Sequence, residues 1–148
     1  HVCITGGEPL LQKNVYPLMV RLCDEGYVVS LETSWDLDCS NVDSRVLKVI
    51  DVTTPDSGEP EKFCSENLKL SGPNTEFKFV ICSERDFDWA EAFSRENKVF
   101  QKSIVLYSPS FDKIDEKWLA KKILSEKSSA RLQLQLHKYI WSSHTRGV

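Results

Sequence analysis

Six short apolar runs divide the chain, and the stretches between several of them carry helical rather than strand-like spacing. Residues 2–5, 27–33, 46–52, 76–82, 104–108 and 131–137 read as strands, each an apolar segment bounded by polar or turn residues. Between the first two, Val15, Leu18, Met19 and Leu22 recur at helical spacing over residues 14–24. Pro17 falls in the first turn of that helix, where a missing N–H costs nothing, and Gly26 follows as its stop. A second helix is predicted over 84–96, capped by Ser83, with Glu84 and Asp86 in its first turn and Phe87, Ala90 and Phe93 on one face. A third spans 115–127 with Trp118, Leu119 and Ile123 inward. Strands alternating with amphipathic helices predict an α/β fold whose parallel strands are joined by crossovers. The connections 35–45 and 55–75 are long and polar. The second holds Pro55, Gly58, Pro60, Gly72 and Pro73, and reads as a functional or mobile loop rather than a helix.

The 148 residues suit a single domain, 1–148, with one core. Apolar residues make up 41% and charged residues 28%, an ordinary globular balance. A net charge of −3 with dispersed lysines and arginines gives no basic field for nucleic acid, and no apolar run approaches the ~20 residues of a membrane span. Cysteines at 3, 23, 39, 64 and 82 are odd in number and widely spaced, which fits neither a disulfide framework nor a C-x-x-C metal site. They read as free thiols in a reducing cytoplasm. The chain opens inside a predicted strand without Met, so a C-terminal portion of a longer protein is expected.

The ends of these strands carry most of the chemistry. Five of them run from apolar residues into polar ones or glycine: Thr5-Gly6-Gly7-Glu8, Glu32-Thr33-Ser34, Asp51-Val52-Thr53-Thr54, Ser108-Pro109 and Gln135-Leu136-His137. Ligands of parallel sheets and barrels gather at the carboxyl ends of the strands, so the five ends are expected to line one crevice. Gly6 and Gly7 let the backbone approach a ligand closely, Glu8 supplies a carboxylate and Pro9 stiffens the exit. On these residues alone, a tight turn with a solvated Glu8 competes with a ligand-binding turn. Lys78, within the fourth strand, points either to solvent or to a pocket. Gln133, Gln135 and His137 alternate with Leu132, Leu134 and Leu136, which gives either a solvated face or a pocket wall.

T-G-G-E-P-L-L-Q at 5–12, led by an apolar strand, resembles the cofactor turn of the radical S-adenosylmethionine superfamily. L-E-T-S at 31–34, D-V-T-T-P-D-S-G-E at 51–59, E-F-K-F-V-I at 76–81, Y-S-P-S-F at 107–111, R-L-Q-L-Q-L-H-K-Y-I-W at 131–141 and R-G-V at 146–148 follow in order. Together they resemble the 7-carboxy-7-deazaguanine synthases over essentially the whole chain. The resemblance implies a homodimeric cytoplasmic carbon–nitrogen lyase of 7-deazapurine or queuosine biosynthesis. It implies S-adenosylmethionine, a [4Fe-4S] cluster with an external electron donor, and Mg²⁺. The implied reaction contracts the ring of 6-carboxy-5,6,7,8-tetrahydropterin to 7-carboxy-7-deazaguanine with loss of ammonia. The implied fold is an incomplete (β/α)6 barrel lacking its first β/α unit.

Residue by residue, the resemblance assigns Gly6, Gly7, Glu8, Glu32, Thr33, Thr54, Lys78 and Ser108 to S-adenosylmethionine, and Thr5, Gln135, His137 and the carboxylate of Val148 to the pterin. No residue here is assigned as a catalytic group or a metal ligand. The family's C-x-x-x-C-x-x-C cluster loop and the Mg²⁺ position beside it are not in these 148 residues, so this chain alone is expected neither to bind the cluster nor to turn over. Thr53 stands where the family usually carries Lys, and Trp35 where it usually carries Gly. A catalytically silent remnant acting as a binding or structural module is the alternative reading.

Overall fold

The structure, a computed structural model, describes residues 1–59, 64–141 and 145. Six strands form one sheet in chain order: β1 (Val2–Ile4), β2 (Val29–Ser34), β3 (Leu47–Val52), β4 (Thr75–Ile81), β5 (Ile104–Pro109) and β6 (Arg131–Leu132). Every neighbouring pair is parallel. Helices α1 (Val15–Asp24), α2 (Glu84–Glu96) and α3 (Glu116–Ser125) lie in the connections, and a short α4 (His137–Ile140) follows β6. Strands added in chain order with right-handed crossovers place each connection on the same side of the sheet. The side-chain pattern agrees. Ile50, Phe77 and Val105 stand in register across β3, β4 and β5, as do Val52, Phe79 and Tyr107 one pleat further, and all six are buried in the core.

That core also takes Met19 from α1, Phe87 and Ala90 from α2, and Leu119 and Ile123 from α3. Edge-to-face aromatic contacts run through it: Phe79 to Tyr107 at 5.8 Å, Phe87 to Tyr107 at 5.5 Å and Trp35 to Phe77 at 5.6 Å. Each such ring contributes about 1.5–3 kcal/mol by burial alone. Trp35 is 1% exposed and fills this core rather than a ligand site. The Ser83 hydroxyl accepts from Asp86 N, so α2 begins where its capping sequence predicts. Asp115 caps α3 in the same way, accepting from Trp118 N.

Two expectations need correction. The predicted strand 131–137 is only Arg131–Leu132, after which the chain leaves the sheet and turns into α4. His137 is therefore helical and does not share a strand face with Gln133 and Gln135. The alternating leucines that suggested a half-buried strand do not bury: Leu132 and Leu136 are both exposed. The connection 55–75 is not devoid of helix, since Ser65–Leu70 forms a 3-10 helix whose Asn67 is fully buried. The five strand ends contribute to two adjoining cavities that share Glu32 and Lys78. Among the described residues no helix is long and apolar enough to cross a membrane.

Candidate functional site

The first cavity, of about 450 Å³, lies at the carboxyl ends of β1, β2 and β3. That size falls within the ordinary range for a small-molecule site. The turn after β1 forms one wall. Gly6 (φ +96°) and Gly7 (φ +52°) both occupy conformations that an L side chain adopts only under strain, and the space around each is open. Glu8 locks this turn to β2. Its Oε1 accepts from Thr33 Oγ1 at 2.7 Å and from Leu10 N at 3.0 Å, and its Oε2 accepts from Ser34 N at 2.8 Å. Three donors on one carboxylate make Glu8 a strut between two strand ends, with Thr33 reaching the site through it. Thr5, Gly7 and Glu32 also line this cavity, while Gly6 flanks it.

Sheet register sets the charged floor. Ser34, Asp51, Lys78 and Leu106 are lateral neighbours on the face opposite the helices. Parallel pairing therefore brings Asp51 and Lys78 side by side, and Lys78 Nζ lies 3.1 Å from Asp51 Oδ2. The same Nζ reaches over β3 to Glu32 Oε2 at 3.6 Å. The register resolves the two readings of Lys78, because it faces the cavity and keeps only 14% of its side-chain surface exposed. Asp51 was not singled out in the sequence. It keeps 42% of its side-chain surface yet has protein around it on most sides at the cavity floor. Burial there pushes its carboxyl above the usual carboxylate range, against the opposing pull of Lys78. Five carboxylates line this cavity (Glu8, Glu32, Asp36, Asp51 and Glu59) against one lysine. Such a surplus of negative charge attracts a cationic ligand.

Glu32 and Lys78 are shared with a second cavity of about 320 Å³. Its other polar walls are Ser108, Gln133, Gln135 and His137. Amide, hydroxyl and imidazole groups together offer both donors and acceptors, the equipment for reading a polar heterocycle. The loss of the long strand has not scattered this set: the chain after β6 folds over the same end of the sheet, held by Gln133 N donating to Tyr107 O at 2.9 Å. The structure thus separates the sequence-derived residues into two groups. Gly7, Glu8, Glu32, Thr33 and Lys78 meet in the first cavity together with Thr5, and Gln135 and His137 meet in the second together with Ser108. Thr54 lines neither cavity. It is buried, and its hydroxyl donates to Val80 O at 2.9 Å. Val148 lies outside the described residues.

A buried amide supports the rim. Asn67 Nδ2 donates to Trp35 O at 3.1 Å and to Leu37 O at 2.8 Å, while its Oδ1 accepts from Cys39 N at 3.0 Å. This one side chain holds the segment after β2, which carries Asp36 on the cavity wall. In sequence Asn67 is one polar residue of a polar loop, and no signal separates it from its neighbours. The five cysteines are free. Cys39 is buried beside this segment, and burial, helped by the nearby Glu8 charge, pushes its thiol up to about 12. Among the described residues no group of three or more His, Cys, Asp or Glu side chains converges to hold a metal ion.

No protein-family model matches the chain. Curated relatives do. A 7-carboxy-7-deazaguanine synthase of Chlorobaculum tepidum is 41% identical over 148 residues, covering 98% of this chain and 67% of the relative. One of Koribacter versatilis is 42% identical over 162 residues, covering 98% of this chain and 70% of the relative. Identity at that level across nearly all of this chain places it by descent: the chain belongs to the 7-carboxy-7-deazaguanine synthase family.

Proposed function

We propose that the first cavity binds S-adenosylmethionine, that the second binds 6-carboxy-5,6,7,8-tetrahydropterin, and that the protein serves the ring contraction to 7-carboxy-7-deazaguanine. In this reading the chain-order parallel sheet is part of a (β/α)6 radical-enzyme barrel. One observation carries the proposal: an acidic cavity at three strand ends abuts, through Glu32 and Lys78, a neutral polar cavity suited to a heterocycle. S-adenosylmethionine combines a sulfonium and an ammonium with one carboxylate, so it brings net positive charge to a wall of five carboxylates. The Gly6-Gly7 turn gives its methionine part close backbone contact, and Glu32 is placed to accept from a ribose diol. Lys78 balances Asp51 and Glu32 at the boundary, which lets two ligands approach without stranding an unpaired charge between them.

When bound, S-adenosylmethionine and a [4Fe-4S] cluster supply radical chemistry. The described residues hold no converging group of three or more His, Cys, Asp or Glu side chains. What falls to them is binding and orientation: Glu8 and Glu32 hold the cofactor side, while Gln135 and His137 hold the heterocycle against it.

Calorimetric titration tests the reading. The protein is expected to bind S-adenosylmethionine more tightly than S-adenosylhomocysteine, which lacks the sulfonium charge. Glu32→Gln is expected to weaken the former by about tenfold, the loss of one charge-assisted contact. His137→Ala is expected to weaken binding of the pterin and leave S-adenosylmethionine unaffected. Equal affinity for the charged and uncharged cofactor analogues, or insensitivity to Glu32→Gln, refutes the assignment of the first cavity.

A further inference from the structure

The loop leaving β3 contributes Thr53 and Glu59 to the wall of the first cavity, and a pair of aspartates stitches it to the start of α2. Asp86, fully buried, accepts from Asp56 N through Oδ1 at 2.9 Å and from Cys82 N through Oδ2 at 2.9 Å. Asp56 reaches back the other way. Its Oδ2 accepts from Ser83 Oγ at 2.6 Å and its Oδ1 from Arg85 Nη1 at 3.0 Å. The two segments thus hold each other reciprocally, backbone to carboxylate in one direction and side chain to carboxylate in the other. A fully buried carboxylate is costly to desolvate, and here two backbone N–H groups and the N-terminal end of α2 offset that cost. Helix capping does not explain the arrangement, because the Ser83 hydroxyl already serves Asp86 N.

From Asp56 the constraint passes along the loop. Ser57 N donates to Thr54 O at 3.1 Å, and Glu59 N donates to Ser57 Oγ at 3.2 Å. Thr54 is itself tied to Val80 O. Fixing Asp56 therefore fixes where Glu59 presents its carboxylate.

We infer that Asp56 and Asp86 form a clamp that positions the β3 exit loop, and through it Glu59, as a wall of the ligand cavity. Asp56 is in this sense a positioning residue, acting through Glu59 rather than on a ligand. The ligand named in the test, S-adenosylmethionine, rests on the function proposed above, and a second readout separates the two claims.

Asp56→Ala removes the Ser83 and Arg85 contacts but leaves the Asp86 cap and its bond to residue 56 N intact. Asp56→Asn keeps an acceptor for Ser83. Hydrogen exchange at the amides of Ser57 and Glu59 is expected to run about tenfold faster in Asp56→Ala, with α2 interior amides unchanged. S-adenosylmethionine affinity is expected to fall about tenfold in Asp56→Ala and to return to within about twofold in Asp56→Asn. The melting temperatures of both variants are expected to stay within about 3 °C of the parent. Unchanged exchange at Ser57 and Glu59 overturns the clamp, as does an equal loss of melting temperature and binding in both variants, which marks a merely structural residue. Faster exchange in a protein that does not bind S-adenosylmethionine supports the clamp and overturns the cofactor assignment instead.

Discussion

Truncating Asn67 to alanine removes three hydrogen bonds at once; Leu37 O keeps the Cys39 thiol as a donor, while the Cys39 N–H loses its amide acceptor. Cys39 is 0% exposed, so water cannot readily replace the amide at its N–H. Stranding one buried donor costs about 1–3 kcal/mol, so the loss at the Cys39 N–H comes to about 2 kcal/mol. For a domain of this length each kcal/mol lowers the melting temperature by about 2–4 °C, which gives a fall of about 4–8 °C. Urea denaturation followed by Trp fluorescence suits the measurement, since Trp35 sits beside the lesion. Asn67→Asp is the informative companion: it keeps the acceptor for Cys39 N but turns a carboxylate oxygen towards two carbonyls, and it is expected to destabilise at least as much at neutral pH. A cost below about 1 kcal/mol for Asn67→Ala refutes the reasoning, because it means the rim does not depend on this side chain.

Two further outcomes follow from the geometry. Gly6→Ala meets open space but a φ of +96°, so its cost is conformational, about 1–2 kcal/mol in unfolding free energy, accompanied by weaker S-adenosylmethionine binding; a change below about 0.5 kcal/mol means that the turn relaxes freely. Asp43 is held at about 2, below its ordinary 3.8, first by the side-chain hydrogen bonds of Arg45 and then by the Arg45 backbone N–H. A depressed carboxylate stabilises the folded state above its unfolded pKa and loses that contribution as pH falls through the folded value. The urea midpoints of the parent and Asp43→Asn are therefore expected to differ above about pH 4 and converge towards about pH 2; a gap constant across that range contradicts the Arg45 pairing.

The first five strands were legible because each is a run long enough to carry its period, and their observed ends fall close to the predicted ones. The helix after Ser83 was legible for a different reason, since its cap chemistry is local. The segment 131–137 misled because leucine alternation reports a half-buried strand only where something covers one face. Here the chain leaves the sheet after Leu132, and Leu136 stays exposed. In the site, the glycine turn and Glu32 could be read from motif and strand position. Asp51 could be read only as part of a strand end, because its pairing comes from lying beside Lys78 across a strand boundary, and register is not written in either strand alone. Asn67 and Asp86 share that difficulty. Each acts on backbone groups about 30 residues away, so its role exists only once the chain has folded.

The strict chain order of the sheet also bears on how such a protein is assembled and altered. Each β/α step docks onto the strand made just before it, so no earlier strand has to open to admit a later one. A growing chain can consolidate its sheet from one edge as synthesis proceeds. The same order confines length changes: a unit gained or lost at either edge leaves the inner registers untouched, and with them the alignment of Asp51 beside Lys78. Tolerance of length changes at the margins of this fold and an undisturbed floor are two consequences of one topology.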